Sequence, residues 1–160
     1  MVENVLFDTS LSKAEQYQLL LPQIEALIDS EEDRTANLAN ISAVLKYNFH
    51  FFWVGFYEFK TDELVLGPFQ GPLACTRIRP GKGVCGTAYQ KKQTIVVPDV
   101  NQFSGHIACS ADTKSEIVIP ILKDHRVVAI LDVDSEHLDH FDEVDRMYLE
   151  TLCQMISSKW

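Results

Sequence analysis

The chain has 160 residues, of which 46% are hydrophobic, enough to fill the core of one domain of ordinary size. The 23 acidic residues outnumber the 14 basic ones, and the net charge of −9 repels nucleic-acid phosphates and anionic lipid surfaces. We therefore expect neither nucleic acid nor a membrane as a partner. The N-terminus lacks the basic and apolar segments of a secretion signal, so we expect a cytoplasmic protein. Its four cysteines are then structural, metal-binding or catalytic thiols rather than permanent crosslinks.

Helical patterns occupy residues 1–50 and the C-terminal end. Ser12 opens the capping-box pattern Ser-Lys-Ala-Glu, and apolar residues recur at helical spacing after it. Pro22 lies inside this pattern and predicts a kink or a division into two helices. A second amphipathic pattern ends near Asn48, and residues 141–158 predict the closing helix.

Strand-forming residues dominate the segment between these helices, and turn residues divide it into short strands. A glycine-rich turn at residues 80–86 leads into a short helix through Tyr89. The pattern predicts one α+β domain over residues 1–160, with a mainly antiparallel sheet and its loops in residues 51–135. The predicted strands are 51–59, 63–71, 74–79, 94–97, 117–122 and 126–132, with hairpin turns at 60–62 and 123–125.

Carboxylates at the end of the last strand are the strongest anomaly. Alternate residues share a face, so Val128, Ile130, Asp132 and Asp134 point one way, on a strand that is apolar on both sides. Glu116 begins the adjacent strand, and the hairpin places it opposite the end that bears the two aspartates. Two interpretations remain open: polar strand ends in water, or a three-carboxylate pocket that binds an ammonium group or donates a proton.

Two aromatic residues share one face of the first strand. Trp53 and Tyr57 flank Gly55, which leaves room above the glycine. They could wall an apolar or sulfur-bearing ligand, since aromatic rings contact sulfur favourably, or they could be ordinary core aromatics.

Cys109 is the candidate reactive thiol, because it lies in a loop of small polar residues where catalytic groups are often found. Cys75 and Cys85 precede it in loop or loop-edge positions and could form a disulfide with it. The spacing of Cys75, Cys85, His106 and Cys109 contains no Cys-x-x-Cys pair, so we predict no metal site. His106 is too near Cys109 in sequence to be assigned as the base of a cysteine hydrolase. Cys153 is predicted to be a small buried hydrophobe.

Two segments, PGKGVCGTA at 80–88 and TIVVPDV at 94–100, resemble the GAF-domain signature. Together with three cysteines and the run LDVDS at 131–135, they make the chain similar to the free methionine-(R)-sulfoxide reductases over nearly its whole length. The resemblance implies a single GAF domain, and we expect no cofactor. The cysteines that carry the resemblance are Cys75, Cys85 and Cys109.

The resemblance also implies the residue roles. Cys109 is the nucleophile, Cys75 the main resolving thiol and Cys85 an alternative partner. Free methionine sulfoxide is reduced through a sulfenic acid on Cys109 and an intramolecular disulfide, which thioredoxin or a similar dithiol recycles. Asp134 is the expected proton donor. The residues implied to line the substrate pocket are Trp53, Tyr57, Glu116, Asp132 and Asp134.

A stand-alone GAF sensor that binds a small molecule without turnover is the alternative, but a sensor has no need of a resolving thiol. An interaction module would leave the carboxylates unexplained. Backbone N–H groups around Cys75 and Cys85 are candidates to bind the substrate carboxylate, because Arg77 and Arg79 are the only arginines nearby in sequence. The terminal helices, with Cys153 and Trp160, could form a homodimer interface.

Overall fold

The computed structural model describes residues 5–107 and 109–160. Residues 1–4 of the predicted N-terminal region and Ala108 of the predicted cysteine loop lie outside the described residues. The elements in chain order are α1 (Lys13–Ser30), α2 (Arg34–Phe49), β1 (Trp53–Lys60), β2 (Glu63–Gln70), β3 (Arg77–Ile78), α3 (Gly83–Lys91), β4 (Ile95–Val97), a 3₁₀ turn (Val100–Gln102), β5 (Ser115–Lys123), β6 (Arg126–Ser135) and α4 (Glu143–Ser157).

Helix α1 continues through Pro22, so the predicted division into two helices is wrong, whereas the predicted kink stays a prediction. The predicted capping box is confirmed: Ser12 accepts a hydrogen bond from the Glu15 N–H, and the Glu15 carboxylate accepts one of 2.9 Å from the Ser12 N–H. Pro22 is exposed, so water can bind the carbonyl group that its ring leaves without a partner. Leu21 and Ile24 are buried in the same core, and this packing stabilises the helix on both sides of Pro22.

The six strands form one sheet in the order β3-β2-β1-β6-β5-β4, with every neighbouring pair antiparallel. Both predicted hairpins are confirmed. Their tight turns have positive φ at both central residues, Thr61 and Asp62 in one and Asp124 and His125 in the other. This conformation matches the right-handed twist of paired strands.

Two details of the strand prediction are wrong. Only Arg77–Ile78 of the predicted strand 74–79 pairs with β2. In the β5–β6 hairpin the register shifts: Ile121 lies opposite Ala129, whereas Leu122 lies opposite Val127. Val128 is thus the extra residue of a bulge and packs on the face opposite the one predicted.

Different elements pack on the two faces of the sheet. Helices α1, α2 and α4 pack on one face, against Val54 and Phe56 of β1. Helix α3 and the loops pack on the other face, against Trp53 and Tyr57. Cys153 is buried between α4 and the sheet, which confirms it as a small core residue. Among the described residues no helix is both long and apolar enough to cross a bilayer.

Candidate active site

The three predicted carboxylates lie side by side on the sheet face that α3 covers. Glu116 is directly opposite Asp134 in the β5–β6 pairing, as the hairpin predicts, and Asp132 lies two residues before Asp134 on the same face. Strand β1 flanks them, with Trp53 opposite Asp134. Glu116 and Asp132 are each only 6% exposed, so the interpretation of these side chains as polar strand ends in water is wrong.

Helix α3 adds a thiol to this carboxylate group. Cys85 is the third residue of α3 and is buried, so its predicted loop-edge position is wrong. Its Sγ lies 3.3 Å from Asp132 Oδ2 and 3.7 Å from Glu116 Oε1. Gly86 allows this approach, because a Cβ there would lie 2.4 Å from the Arg79 carbonyl oxygen in the preceding turn.

Burial raises the pKa of every acid in the group. The pKa of Asp132 rises to about 6 because burial outweighs the opposing effects of Cys85 and Glu116. Burial, and then repulsion by the Asp132 charge, raises the pKa of Glu116 and of Asp134 well above the ordinary range. The same two causes raise the pKa of the Cys85 thiol. The group therefore retains protons at pH values where exposed carboxyls are ionised, and it can act as an acid.

The aromatic wall is built as predicted, but without free space above the glycine. Trp53 and Tyr57 are buried with ring centroids 6.0 Å apart. A Cβ on Gly55 would lie 2.3 Å from Phe69 Cβ and 2.7 Å from the Trp53 ring, so these side chains already fill the predicted room. A pocket is instead lined by the two rings together with the carboxylates and the cysteine loops.

Cys75 and Cys109 are joined in a disulfide, with their Cα atoms 5.5 Å apart, whereas Cys85 and Cys153 are free thiols. The loop that carries Cys75 rests on the aromatic wall. The Tyr57 hydroxyl donates a 3.0 Å hydrogen bond to the Cys75 carbonyl, and the Trp53 indole N–H donates one of 3.1 Å to the Pro72 carbonyl.

These groups enclose a pocket of about 40 Å³. Small-molecule sites commonly have volumes of about 300–1,000 Å³, so the pocket is narrow in this disulfide form. Two buried polar atoms at the site, Asp132 Oδ1 and His106 Nδ1, have no hydrogen-bond partner in the described part of the chain. The predicted site residues that line the pocket are Trp53, Tyr57, Cys85, Cys109, Glu116, Asp132 and Asp134.

Thr113 and Lys82 are among the pocket-lining residues that the sequence pattern does not indicate. Thr113 is buried beside the cysteine loop, and its side chain opposes the rise in the pKa of Asp134. Lys82 precedes α3 and is the only lysine or arginine among the described lining residues. The position of Lys82 in the glycine-rich turn, directly before α3, is the one feature of the sequence that could have indicated it. Arg77 and Arg79 lie outside the pocket lining and pair with Glu63, each at 3.4 Å.

Comparison with known proteins gives the family. The model of the GAF domain matches residues 33–158. A free methionine-R-sulfoxide reductase of Saccharomyces cerevisiae is 41% identical over 164 residues, spanning 97% of this chain and 91% of the relative. The chain belongs to the free methionine-R-sulfoxide reductase family of GAF-domain proteins. The predicted family, the single GAF fold and the prediction of an oxidoreductase are thereby confirmed.

Further relatives have the same extent. The GAF domain-containing protein A of Dictyostelium discoideum is 57% identical over 148 residues, which span 92% of this chain and 94% of that protein. The X-ray structure of a free methionine-R-sulfoxide reductase from Neisseria meningitidis, solved with its substrate, is 51% identical and superposes with a TM-score of 0.96. It covers 99% of this chain, and 95% of that chain is matched.

Proposed function

We propose that this chain reduces free methionine-(R)-sulfoxide to methionine, with Cys109 as the nucleophile and Cys75 as the resolving thiol. The observation that carries the proposal is the pairing of these two cysteines beside a pocket of proton-retaining carboxyls. Membership in the reductase family supports the substrate class. The R stereochemistry rests on the family alone.

The first step takes place when Cys109 is reduced. Its thiolate attacks the sulfoxide sulfur, and a carboxylic acid protonates the sulfoxide oxygen. The protonated oxygen moves from the substrate sulfur to the Cys109 sulfur as the bond between the two sulfurs breaks, so the substrate leaves as methionine and Cys109, oxidised by two electrons, becomes a sulfenic acid. Asp134 is the proposed proton donor, because burial raises its pKa and it lines the same pocket as Cys109.

Cys75 then condenses with the sulfenic acid, releasing water and forming a disulfide. The 5.5 Å between the two Cα atoms lies within the range that a disulfide requires. An external dithiol such as thioredoxin returns both cysteines to thiols by exchange. Cys85 is a poorer resolving thiol than Cys75, because its raised pKa leaves little thiolate and α3 holds it against the carboxylates.

The carboxylates also give a reason for selecting a free amino acid. Glu116 and Asp132 are buried, and their charged forms are favoured only when a cation lies beside them. The α-ammonium group of free methionine sulfoxide supplies that cation, whereas a residue inside a peptide supplies a neutral amide. Lys82 and the first N–H groups of α3 face the same pocket and are suited to bind the substrate carboxylate.

Cysteine variants test the division of roles. Cys109→Ser is expected to abolish methionine formation. Cys75→Ser is expected to form about one methionine per enzyme without reductant and then to stall, because its sulfenic acid has no resolving partner. Cys153→Ala is the matched control, since Cys153 lies on the opposite side of the sheet and should leave steady-state turnover unchanged. Full thioredoxin-dependent turnover by Cys109→Ser would refute the assignment.

Substrate selection is tested separately. The values of kcat/KM are compared for free methionine-(R)-sulfoxide and for its N-acetyl, C-amide derivative. An unpaired buried charge costs roughly 3–5 kcal/mol, so we expect a preference of about a hundredfold or more for the free amino acid. Comparable values would mean that the carboxylates do not bind the ammonium group. Binding of the free amino acid without any methionine formation would favour the alternative, a GAF sensor.

A further inference from the structure

Three potential metal ligands converge in the pocket of the disulfide form. The Cys85 sulfur and one carboxylate oxygen each from Glu116 and Asp132 all lie within 4.8 Å of one another, and all three residues are buried. This set is different from the cysteine and histidine set examined in the sequence, since Cys75 and Cys109 are already bonded to each other. The fold brings it together from a helix and two strands.

The spacing of these atoms fits tetrahedral zinc. A tetrahedral ion with Zn–S about 2.3 Å and Zn–O about 2.1 Å places the sulfur and oxygen about 3.6 Å apart. The Cys85 sulfur lies 3.3 Å from the Asp132 oxygen and 3.7 Å from the Glu116 oxygen. The side chains therefore need only small shifts to place all three ligand atoms around one ion.

A second observation, independent of these distances, is a buried carboxylate oxygen without a hydrogen-bond partner. Asp132 is 6% exposed, yet its Oδ1 has no hydrogen-bond partner among the described residues. Leaving a buried carboxylate oxygen without a donor is costly, and a bound cation removes that cost.

We propose that Cys85, Glu116 and Asp132 bind one Zn²⁺ in the disulfide form, with a water molecule from the pocket as the fourth ligand. The Cys85 thiol proton and any protons on the two carboxyls leave to solvent as the metal–ligand bonds form. Zinc fits better than magnesium or calcium, because it accepts sulfur and four ligands whereas those ions require six or more oxygens. The water fits, since the pocket has room for more than one.

The zinc site has a consequence that rests on the proposed function. Zinc occupies the carboxylates proposed to bind the substrate ammonium group, so zinc and free methionine sulfoxide exclude each other. Bound zinc would thus block the pocket.

The test uses the intact disulfide form without reductant. Cd²⁺ serves as the probe, since its bond to a thiolate gives an ultraviolet charge-transfer band. We expect the band to saturate at one equivalent, and added Zn²⁺ to remove it by competition. Cys85→Ser should abolish the band, whereas Cys153→Ala, which removes the other free thiol, should keep it.

A carboxylate variant tests the zinc site even if Cys85→Ser does not fold. Glu116→Gln retains the Cys85 thiol and removes one direct ligand. Loss of an outer-shell partner lowers metal affinity about 10–100-fold, so loss of a direct ligand should lower the zinc affinity by more than that. A wild-type protein without the band, a band that persists in Cys85→Ser, or unchanged affinity in Glu116→Gln would each overturn the zinc site. Competition with free methionine sulfoxide is measured at concentrations above its dissociation constant for the disulfide form, and a cadmium band that it then does not weaken counts against the ammonium assignment alone.

Discussion

The protonation of the carboxylate group makes stability depend on pH in an unusual direction. Burial raises the pKa of Asp132 from an ordinary value of 3.8 to about 6. A carboxyl with a raised pKa binds its proton more tightly in the folded state, so its contribution to stability is complete below about pH 4. That contribution is lost as the pH rises through about 6. This rise in the pKa of Asp132 corresponds to about 3 kcal/mol in the free energy of unfolding.

Asp132→Asn tests this coupling. The amide does not titrate, so the fall in the free energy of unfolding between about pH 4 and pH 8 should be smaller than in the wild type by about 3 kcal/mol. Removal of the Asp132 charge should also lower the raised pKa values of Glu116 and Asp134, which flattens the dependence further. The measurement is urea unfolding of the disulfide form at several pH values, at constant ionic strength and with a chelator present.

The matched control is Glu32→Gln, which neutralises an exposed carboxylate outside the pocket. Its pH dependence should follow that of the wild type. If Asp132→Asn and the wild type give parallel curves, Asp132 does not retain its proton above the ordinary range, and the proton-donating pocket loses its physical basis.

Three further outcomes are expected. Tyr17→Phe removes a buried hydroxyl that donates a 2.9 Å hydrogen bond to the Asp145 carboxylate, so urea unfolding should show a loss of about 1.5–3 kcal/mol; no loss would contradict a net stabilising bond. Gly55→Ala places a Cβ 2.3 Å from Phe69 Cβ and should cost about 1–3 kcal/mol, measured in the same way. The disulfide form should bind free methionine sulfoxide at least about tenfold more weakly than the reduced form in calorimetry, because its pocket of about 40 Å³ is narrow. Equal affinities would mean that the loops need not open.

The features that the sequence predicts well are those with a local cause. The hairpin turns are set by a few residues, and the side-chain alternation of a strand then follows from its register. For that reason Glu116 could be placed opposite the end of the strand that carries Asp134, and the structure pairs them. The capping box at Ser12 is also a local signal.

The features that the sequence misses depend on packing between distant segments. Pro22 remains helical because buried residues on both sides of it join one core. No glycine or proline lies next to Val128 in the sequence to indicate the bulge. Cys85 is misplaced because its contacts with the carboxylates arise only when α3 packs across β5 and β6, residues far from it in sequence.

The buried thiol and the raised pKa values together explain how three acids can lie side by side in this pocket. In a low-dielectric site three adjacent carboxylates cannot all be ionised, so protons remain on the group, and Cys85 stays a thiol within reach of two of its oxygens. A substrate ammonium group beside Asp132 would lower the pKa of the carboxyls it touches, because an opposite charge favours the ionised form. Protons would then be retained by the acid farthest from the ammonium group. On this argument the binding of a free amino acid itself separates the acids into anions that hold the ammonium group and one acid that can protonate the sulfoxide oxygen.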